Sequence, residues 1–333
     1  MKFLIAGTGS IGRRHYKNIL SLGYRDIAVV RSKRHTDAPQ REFFAKYRPQ
    51  VFYSLEAALT GKPDAVFVCN PTSLHVSTAR SAIRAGSHVF IEKPISHTRA
   101  GIDALLREAR QRKKVVYVGY NFRHHPLLKT AKRILEGKKL GTLHSARFIT
   151  GEYLPDWHPW ENYRKSYAAR KDLGGGVVLT QSHDLDLIYW LLGKPQSVAA
   201  VVRTGKELGA NSVDHVASMI FTTEHCPTAF SHLDYLERSP TKHFIISGSR
   251  GRITWDYYGN TLRLIKPKGK MLLFKTPSGF ERNHMYVAEL NDFIRCIRQG
   301  KQPATDVAAG RVILEMALRA KEASAKQRML KFS

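Results

Sequence analysis

The feature that most restricts the fold of this chain is a glycine-rich stretch near its start. Gly7-Thr8-Gly9-Ser10-Ile11-Gly12 directly follows the apolar run Phe3–Ala6 and leads into the helical pattern Ile11–Leu22. Glycines at this spacing allow a tight turn and close approach of the backbone to a pyrophosphate, and the N-terminus of the following helix attracts negative charge. The stretch therefore predicts a dinucleotide-binding site; an ordinary glycine-rich turn is the alternative. The predicted contacts are Gly7, Gly9, Ser10, Ile11 and Gly12.

The first third of the chain alternates short apolar β-type runs with helical patterns. The runs are Phe3–Ala6, Ile27–Val30, Val51–Tyr53, Ala65–Cys69, His88–Ile91 and Val115–Tyr120. Buried strands separated by helices are typical of an α/β fold with helices on both faces of a parallel sheet. We therefore predict a doubly wound dinucleotide-binding domain over residues 1–121.

The pattern changes after Asn121. Between residues 143 and 275 the β-type runs are longer and alternate in polarity, as expected of an antiparallel sheet with one solvated face. Helical patterns are predicted at Pro126–Glu136, 177–192, 284–298 and 307–325. Residues 122–333 are therefore predicted to form a second domain of the α+β class with a mainly antiparallel sheet.

The end of the second predicted strand bears on which dinucleotide binds. An acidic residue about 20 positions beyond the glycines would accept a hydrogen bond from the ribose 2′-hydroxyl of NAD. Here the strand continues into Arg31-Ser32-Lys33-Arg34, and the first acid is Asp37. Guanidinium groups suit a 2′-phosphate. Arg31, Ser32 and Arg34 thus predict NADP as the preferred cofactor, with NAD or simple solvated loop cations as the alternatives.

Two further stretches hold candidate catalytic side chains. Glu92-Lys93-Pro94 ends the fifth strand at the carboxyl edge of the sheet, where ligands bind in such folds, and a lysine there can hydrogen-bond the oxygen of a reacting carbinol. Gly174–Asp186 leads into a predicted helix that places Thr180 and His183 on one face. Histidine can donate or accept a proton near neutral pH. A surface lysine and a buried histidine paired with Asp186 are the alternatives.

Together these stretches resemble the Gfo/Idh/MocA family, named for glucose–fructose oxidoreductase, inositol dehydrogenase and a rhizopine-catabolism protein. The matching pieces are Gly7–Gly12, Asn70-Pro71-Thr72 with His75, Glu92-Lys93-Pro94, Gly119–Arg123 with Pro126, Gly174–Asp186, and Gly248 with Gly251. The resemblance implies an N-terminal Rossmann domain and a C-terminal substrate-binding and oligomerisation domain with a large open sheet. It also implies a homodimer or homotetramer built on that sheet, and NAD(P)-dependent oxidation or reduction of CH–OH groups in sugars and polyols.

The same resemblance implies roles for single residues. Lys93 and His183 would be the catalytic pair at the hydride-transfer site. Further cofactor contacts would be Asn70, Pro71, Thr72, His75, Glu92, Lys93 and Asn121. The substrate contacts would be Lys93, Tyr120, Arg123, Tyr153, Trp157, Tyr163, Arg164, Thr180 and His183.

The segment 151–170 is dense in aromatic and arginine residues. Aromatic faces stack on sugar C–H groups, and arginine forks hold carboxylate or phosphate. The segment resembles the branch of the family linked to surface-polysaccharide and nonulosonic-acid metabolism, which implies an anionic or nucleotide-linked sugar as substrate. A packed loop in which Trp157 and Trp160 fill the core is the alternative.

One departure from the family bears on catalysis. The family commonly has an aspartate three or four residues before the histidine, where this chain has Leu179 and Thr180. Asp184, one helical turn further along, is the candidate replacement. The departure leaves a non-catalytic NADP-binding sensor or scaffold as the alternative function.

The charge balance is unusual, with 54 Lys and Arg against 27 Asp and Glu, a formal net charge of +27. Such a charge favours anionic partners. No basic tail accompanies it, so a nucleic-acid binder is the least favoured hypothesis. No apolar run reaches the ~20 residues that span a membrane, so we expect a cytoplasmic protein without a membrane partner. The three cysteines form no CxxC pair, and we predict neither a disulfide framework nor a metal site.

Overall fold

The first sheet of the molecule is parallel and lies in the N-terminal third of the chain. A computed structural model describes residues 1–32, 37–209 and 213–332. Six strands run in the order β3-β2-β1-β4-β5-β6. Their bounds are β1 Phe3–Ala6, β2 Ile27–Val30, β3 Gln50–Phe52, β4 Ala65–Val68, β5 His88–Glu92 and β6 Val116–Gly119. The chain reverses its direction of travel across the sheet between β1 and β4, and in such folds ligands bind in the crevice at this switch point.

The helices of this part cover both faces of the parallel sheet. Their bounds are α1 Ser10–Ser21, α2 Ala38–Tyr47, α3 Leu55–Leu59, α4 His75–Arg84 and α5 Ile102–Gln111. Helices α2 and α3 were not predicted. Only Phe43 of α2 is buried, so its apolar stripe is too narrow to recognise in the sequence. Side-chain caps mark both starts: Asp37 accepts from Gln40 N, and Ser54 accepts from Ala57 N.

The second sheet has nine strands in the order β14-β13-β12-β11-β7-β10-β9-β8-β15. Their bounds are β7 Leu143–Gly151, β8 Pro195–Thr204, β9 Asp214–Thr223, β10 Ala229–Asp234, β11 Thr241–Gly248, β12 Gly251–Asp256, β13 Thr261–Ile265, β14 Met271–Lys275 and β15 Leu330–Lys331. Neighbouring strands pair antiparallel except β7 and β10, which are parallel. The predicted fold class, a Rossmann-type parallel sheet followed by an α+β domain with a large, mainly antiparallel open sheet, is confirmed.

The helices of the second part are α6 Pro126–Glu136, α7 Val177–Thr180, α8 His183–Leu192, α9 Arg282–Gln299 and α10 Val307–Lys326. Short 3₁₀ turns lie at Thr72–Leu74, Asn121–His124, Leu154–Asp156, Tyr163–Lys165, Tyr167–Ala169, Lys171–Leu173 and Pro267–Gly269. The single helix predicted over 177–192 is wrong, because α7 ends at Thr180, α8 begins at His183, and Gln181 between them has φ of −92° and ψ of +25°, outside the helical region. Thr180 Oγ1 donates to the Gly176 carbonyl at 2.8 Å, a side-chain bond that competes with continuation of the helix.

Helix α9 packs under the parallel sheet although it lies more than 160 residues beyond β6. The Phe293 ring lies among Phe67, Phe90 and Tyr117, with centroid distances of 5.6, 5.6 and 5.9 Å. The apolar underside of the first sheet is therefore closed by a helix from the C-terminal part. The division at residues 121 and 122 stays a prediction, and the two parts share this core.

Two searches of the described ranges were negative. No helix in them is long and apolar enough to cross a bilayer. Across residues 1–32, 37–209 and 213–332, no group of three or more His, Cys, Asp or Glu side chains is arranged to hold a metal ion. The three cysteines, Cys69, Cys226 and Cys296, are free and buried.

Candidate active site

The glycine stretch forms a cradle at the N-terminus of α1. Gly7 has φ of +111°, and a Cβ there would lie 2.5 Å from the Cys69 carbonyl oxygen. A Cβ at Gly12 would lie 2.0 Å from the Gly7 carbonyl oxygen, whereas one at Gly9 would meet no atom within 4 Å. Gly7 and Gly12 thus permit close packing, while exposed Gly9 and Ser10, with half-buried Ile11, border open space at the positive end of a helix. These residues fit a pyrophosphate.

The end of β2 lies beside this cradle. Gly7 N donates to Val30 O at 2.9 Å. Arg31 Nε donates to Ser32 O at 3.0 Å, and the guanidinium lies 4.9 Å over the Phe44 ring. Arg34 lies outside the described residues. The structure therefore places Arg31 and Ser32 beside the glycine cradle, and their cofactor contacts stay predictions.

Asp37 also lies close to the cradle. Its Oδ1 is 3.6 Å from Arg13 Nη1, and that same Nη1 donates to Thr8 O at 3.0 Å. Gln40 Nε2 donates to Thr8 O at 2.9 Å. The first acid after β2 is thus tied, through Arg13 and Gln40, to the loop that holds the glycines.

His75 connects the ends of β4 and β5. Its Nδ1 lies 2.8 Å from Pro94 O and its Nε2 2.9 Å from Asn70 O, and burial lowers its pKa. Half-buried Pro71 and buried Thr72 follow Asn70. Thr72 packs against Gly174, because a Cβ added to Gly174 would lie 2.9 Å from the Thr72 Cβ. His75 therefore supports the predicted cofactor loop from behind.

Glu92 and Asn121 are buried at the same end of the sheet. Glu92 Oε1 lies 2.6 Å from Nε2 of fully buried His15 on α1. This contact links the cradle helix to the strand that carries Lys93. Asn121 opens the 3₁₀ turn that follows β6. Both predicted cofactor contacts are therefore buried at the carboxyl end of the parallel sheet.

Lys93 extends from the carboxyl end of β5, and its peptide bond to Pro94 is cis. Lys93 Nζ donates to the Thr180 carbonyl oxygen at 2.5 Å. Burial lowers the pKa of Lys93 to about 8; Glu92 opposes this effect and Lys242 adds to it. A lysine with such a pKa exchanges its proton near neutral pH, as catalysis at a carbinol requires.

His183 is the first residue of α8 and lies in the same cleft as Lys93. Its ring packs edge-on against Phe122 and Tyr120, with centroid distances of 4.7 and 6.0 Å. Burial, and then the charges of Lys93, Lys242 and Arg282, hold the pKa of His183 well below its usual value. The imidazole is therefore neutral at pH 7. Tyr120 is buried with its ring against that of His183, and burial raises its pKa; its predicted substrate contact stays a prediction.

The side chain of Thr180 does not face the cleft, and its predicted substrate contact is wrong in that form. The residue is 1% exposed, and Thr180 Oγ1 bonds both the Gly176 carbonyl and the Tyr235 hydroxyl. The main chain of Thr180 reaches the site instead, because its carbonyl oxygen accepts from Lys93.

Asp184 does not replace the family acid. Its Oδ1 accepts from Thr150 Oγ1 at 3.0 Å and lies 3.2 Å from Lys242 Nζ. Lys242 Nζ also donates to Thr150 Oγ1 at 2.7 Å, and all three residues are buried. Asp184 therefore neutralises Lys242 beneath the cleft.

Arg123 is engaged in a second ion pair, with buried Asp186, and its predicted substrate contact stays a prediction. Its Nη2 and Nε donate to Asp186 Oδ1 at 2.6 and 2.9 Å, and its Nη1 donates to Ala304 O at 3.4 Å. The same pair excludes the alternative in which Asp186 partners His183. Arg123 ties the turn after β6 to α8 and thereby holds the helix that begins at His183.

The aromatic segment is divided between packing and the surface. Trp157 packs edge-on against Tyr235 at 5.4 Å, and the Arg238 guanidinium lies 4.3 Å over the Tyr153 ring. Tyr163 Oη donates to Leu208 O at 3.1 Å, and exposed Arg164 lies 5.0 Å over the Tyr163 ring. Trp160 is 50% exposed, so the alternative in which it fills the core is wrong. Partly buried Trp157 packs on Tyr235, whose hydroxyl bonds the Thr180 side chain, whereas Tyr153 contacts Arg238.

Sequence reasoning missed Glu152, which directly follows β7. Glu152 Oε2 accepts from Gln181 Nε2 at 2.9 Å, and Oε1 accepts from Tyr258 Oη at 3.3 Å. Gln181 adjoins Thr180, the residue that anchors Lys93. Both partners of Glu152 are neutral, whereas Glu92, Asp184 and Asp186 face a histidine, a lysine and an arginine. Glu152 could have been found by the signal that pointed to Lys93, namely a charged residue directly after a predicted strand.

Comparison with known proteins decides the family. A model described as an oxidoreductase family with an NAD-binding Rossmann fold matches residues 1–120, and one for the GFO/IDH/MocA C-terminal domain matches residues 128–254. The chain belongs to the Gfo/Idh/MocA oxidoreductase family. The predicted family and the predicted enzyme class, a nicotinamide-dependent dehydrogenase or reductase, are confirmed.

Curated members of the Gfo/Idh/MocA family match this chain over nearly its whole length. Myo-inositol 2-dehydrogenase of Thermotoga maritima is 25% identical over 99% of this chain and 98% of that protein. UDP-N-acetylglucosamine 3-dehydrogenase of Acidithiobacillus ferrooxidans is 26% identical over 97% of each. Levoglucosan dehydrogenase, solved in complex with NADH and levoglucosan, superposes with a TM-score of 0.87 at 17% identity over 100% of this chain and 99% of that one. This last likeness shows the shared fold.

Proposed function

We propose that this Gfo/Idh/MocA enzyme transfers hydride between a nicotinamide dinucleotide and a hydroxyl or keto carbon of a sugar or sugar derivative. The position of Lys93 is the observation that carries the proposal. A half-buried lysine with a pKa lowered to about 8 lies at the carboxyl end of the Rossmann sheet, in the cleft that holds His183. A lysine there hydrogen-bonds the oxygen of the reacting carbon and moves its proton.

The chain's own groups divide the work. Gly7–Gly12 and the N-terminus of α1 would hold the pyrophosphate, with the loop Asn70–Thr72 beside it. When bound, the nicotinamide ring supplies or accepts the hydride. Below its pKa Lys93 is an ammonium that donates a proton to the oxygen of a ketone, and above it the free amine accepts the proton of a hydroxyl. Neutral His183 orients that oxygen through a ring N–H.

The sign of the pH dependence follows from the lowered pKa of Lys93. Oxidation needs the free amine, so its kcat rises as the pH passes through about 8. Reduction needs the ammonium, so its kcat falls over the same range. Turnover of myo-inositol, levoglucosan and UDP-N-acetylglucosamine, followed by the absorbance of the reduced nicotinamide against pH, tests the proposal. Absence of turnover with a wider panel of sugars and both cofactors would contradict it.

We propose NADP as the preferred cofactor, read by Arg31, Ser32 and Arg34. The position of Arg31 at the end of β2 supports this choice, while the closeness of Asp37 to the cradle favours NAD as the second candidate. With NADP preference, NADPH binds more tightly than NADH, and Arg31→Asp narrows or reverses the difference. If instead Asp37→Asn selectively weakens NADH binding and the wild type prefers NADH, the second candidate holds.

We further propose an anionic or nucleotide-linked sugar as substrate. Arg164 and Arg238, stacked on Tyr163 and Tyr153, offer guanidinium groups at the edge of the aromatic segment. The relative that acts on UDP-N-acetylglucosamine matches over almost the full chain. A comparison of kcat/KM for neutral sugars, uronic acids and nucleotide sugars tests this choice, and a preference for neutral sugars would contradict it.

We also propose a homodimer or homotetramer built on the nine-stranded sheet. Val201 of β8 and Ile220 of β9 are 62% and 43% exposed on this sheet. An exposed apolar sheet face is the kind of surface that a symmetric partner covers. Light scattering at micromolar concentration tests the assembly, and a monomer mass would contradict it.

A further inference from the structure

The hairpin formed by β13 and β14 carries exposed aliphatic side chains. β14 is the edge strand of the nine-stranded sheet. Met271, Leu272 and Leu273 are 51%, 41% and 46% exposed. Consecutive strand residues point to opposite faces, so both faces of β14 are open to solvent. The hairpin therefore projects beyond the helices that cover the inner strands.

The turn of this hairpin is rich in lysine. Lys266, Lys268 and Lys270 are exposed, and Lys266 N donates to Lys270 O at 2.8 Å, which closes the turn. Residues 257–280 contain no Asp or Glu. Their basic residues are Arg263, Lys266, Lys268, Lys270 and Lys275. The positive charge of the chain is thus joined here to exposed aliphatic side chains.

The basic surface continues onto α6. A groove of about 630 Å³ lies between α6, Trp190 of α8 and the end of β14 at Phe274 and Lys275. Lys129, Lys132 and Arg133 line its α6 side. Lys132 is partly engaged there, because it donates to the Trp190 carbonyl at 2.7 Å and lies 3.7 Å from Glu136. Hairpin and groove together form one cationic surface with apolar parts.

The chemistry of this surface selects among anionic partners. A nucleic acid would neutralise the lysines but would leave Met271, Leu272 and Leu273 without apolar contacts. A second copy of the same hairpin would bring like charges together. A lipid surface satisfies both features, because lysine heads reach the phosphate layer while aliphatic side chains enter the acyl boundary.

We propose that the β13–β14 hairpin, with the basic side of α6, docks this enzyme peripherally on an anionic lipid surface. The sequence-based expectation of no membrane partner rested on the lack of a spanning segment, and a peripheral contact needs none. The proposal does not depend on the substrate or the cofactor, and it uses the β13–β14 end of the sheet, opposite the β8 and β9 residues on which the proposed oligomer rests.

The test measures co-sedimentation of the full chain with vesicles of phosphatidylcholine alone or with about one third phosphatidylglycerol. The wild type should bind the anionic vesicles at least about tenfold more tightly, and raised salt should weaken binding because it screens the lysines. The variant Lys266→Glu/Lys268→Glu/Lys270→Glu should abolish binding. Met271→Ser/Leu273→Ser should weaken it several-fold at unchanged charge.

A matched control separates this local surface from the overall charge of +27. Arg107→Glu/Arg110→Glu/Arg112→Glu changes the net charge equally on and just beyond α5 of the first domain, where all three side chains are exposed. The control should bind like the wild type. Equal losses in both triple variants, or no loss in the hairpin variant, would overturn the proposal. So would a hairpin variant that changes the oligomer mass, because a second copy would then occupy the surface.

Discussion

The phosphate cradle and the substrate cleft lie at the same end of one sheet but are built differently. The cradle is made by six consecutive residues, and its shape depends on three glycines among them, Gly7, Gly9 and Gly12, which leave room for close backbone packing or for a ligand. The cleft is made by Lys93 and Glu152, which directly follow β5 and β7, and by His183 of α8. Each contacts a partner far away in the chain. A cradle of this kind accepts few substitutions, whereas a cleft can change its chemistry by exchanging partners. Thr180 illustrates this, because its carbonyl anchors Lys93 without a side-chain acid.

The largest expected effect is on kcat, and it should arise in the cleft without a matching change in dinucleotide binding at the cradle. We expect Lys93→Met and His183→Leu each to lower kcat by about 10²–10⁴, the usual loss for a positioned proton-transfer group. The Kd for NADPH or NADH should change little, because the phosphates are held at the cradle. Steady-state kinetics and fluorescence titration measure the two quantities. Wild-type turnover of an identified substrate by both variants would contradict the catalytic roles given to Lys93 and His183.

The next effect concerns the ion pair that supports the cleft. Arg123→Met leaves Asp186 buried without its partner, so we expect the free energy of unfolding to fall by about 3–5 kcal/mol. The double variant Arg123→Met/Asp186→Leu should recover much of this loss. Urea denaturation provides the measurement. If Arg123→Met kept its stability and instead raised the KM for the sugar, Arg123 would be the substrate contact that the sequence predicted.

Within the cradle, alanine substitutions at two glycines should have different effects, one on stability and one on cofactor binding. Gly12→Ala places a methyl group 2.0 Å from the Gly7 carbonyl oxygen, so it should destabilise the fold by about 1–3 kcal/mol. Gly9→Ala meets no protein atom and should fold normally, but it narrows the space left for the pyrophosphate and should weaken cofactor binding. Thermal unfolding and dinucleotide titration of both variants distinguish these outcomes. Equal behaviour of the two would contradict the roles given to them.

The smallest expected effect tests the residue that sequence reasoning missed. Glu152→Gln keeps the shape but removes the charge between Gln181 and Tyr258. If Glu152 accepts hydroxyl groups of the sugar, its KM should rise by about tenfold, the cost of losing a hydrogen bond to a charged group. Glu224→Gln, at an exposed position after β9, is the matched control. Unchanged KM in both variants would remove Glu152 from the site.

The comparison also explains what the sequence could reveal. Strands Phe3–Ala6 and Ile27–Val30 and helix Pro126–Glu136 were predicted with the observed bounds, because apolar period and helix caps are local signals. The cradle is local too. Partners within the cleft are not: Arg123 meets Asp186 across 63 residues, Thr180 meets Tyr235 across 55, and Asp184 meets Lys242 across 58. Helical spacing placed Thr180 on the face of His183 and left Asp184 as the candidate replacement acid. Spacing carries no information on partners that lie far away in the chain.

The break between α7 and α8 combines the local bond from Thr180 to Gly176 with a long-range partner. Periodicity favours one helix over 177–192, but Gln181 turns its amide to Glu152, which lies 29 residues earlier in the chain. A tertiary hydrogen bond of this kind overrides a weak local preference. The same turn places His183 at the start of α8, beside Phe122.

The position of Phe293 among Phe67, Phe90 and Tyr117 has a consequence for biosynthesis. The nascent chain leaves the ribosome N-terminus first, so all six strands of the Rossmann sheet emerge long before α9 does. His15 of α1 already packs against Phe67 and Phe90, but until about residue 300 has left the exit tunnel the rings that Phe293 contacts lack the cover of α9. The Rossmann part, although synthesised first, is completed only when most of the polypeptide has been made.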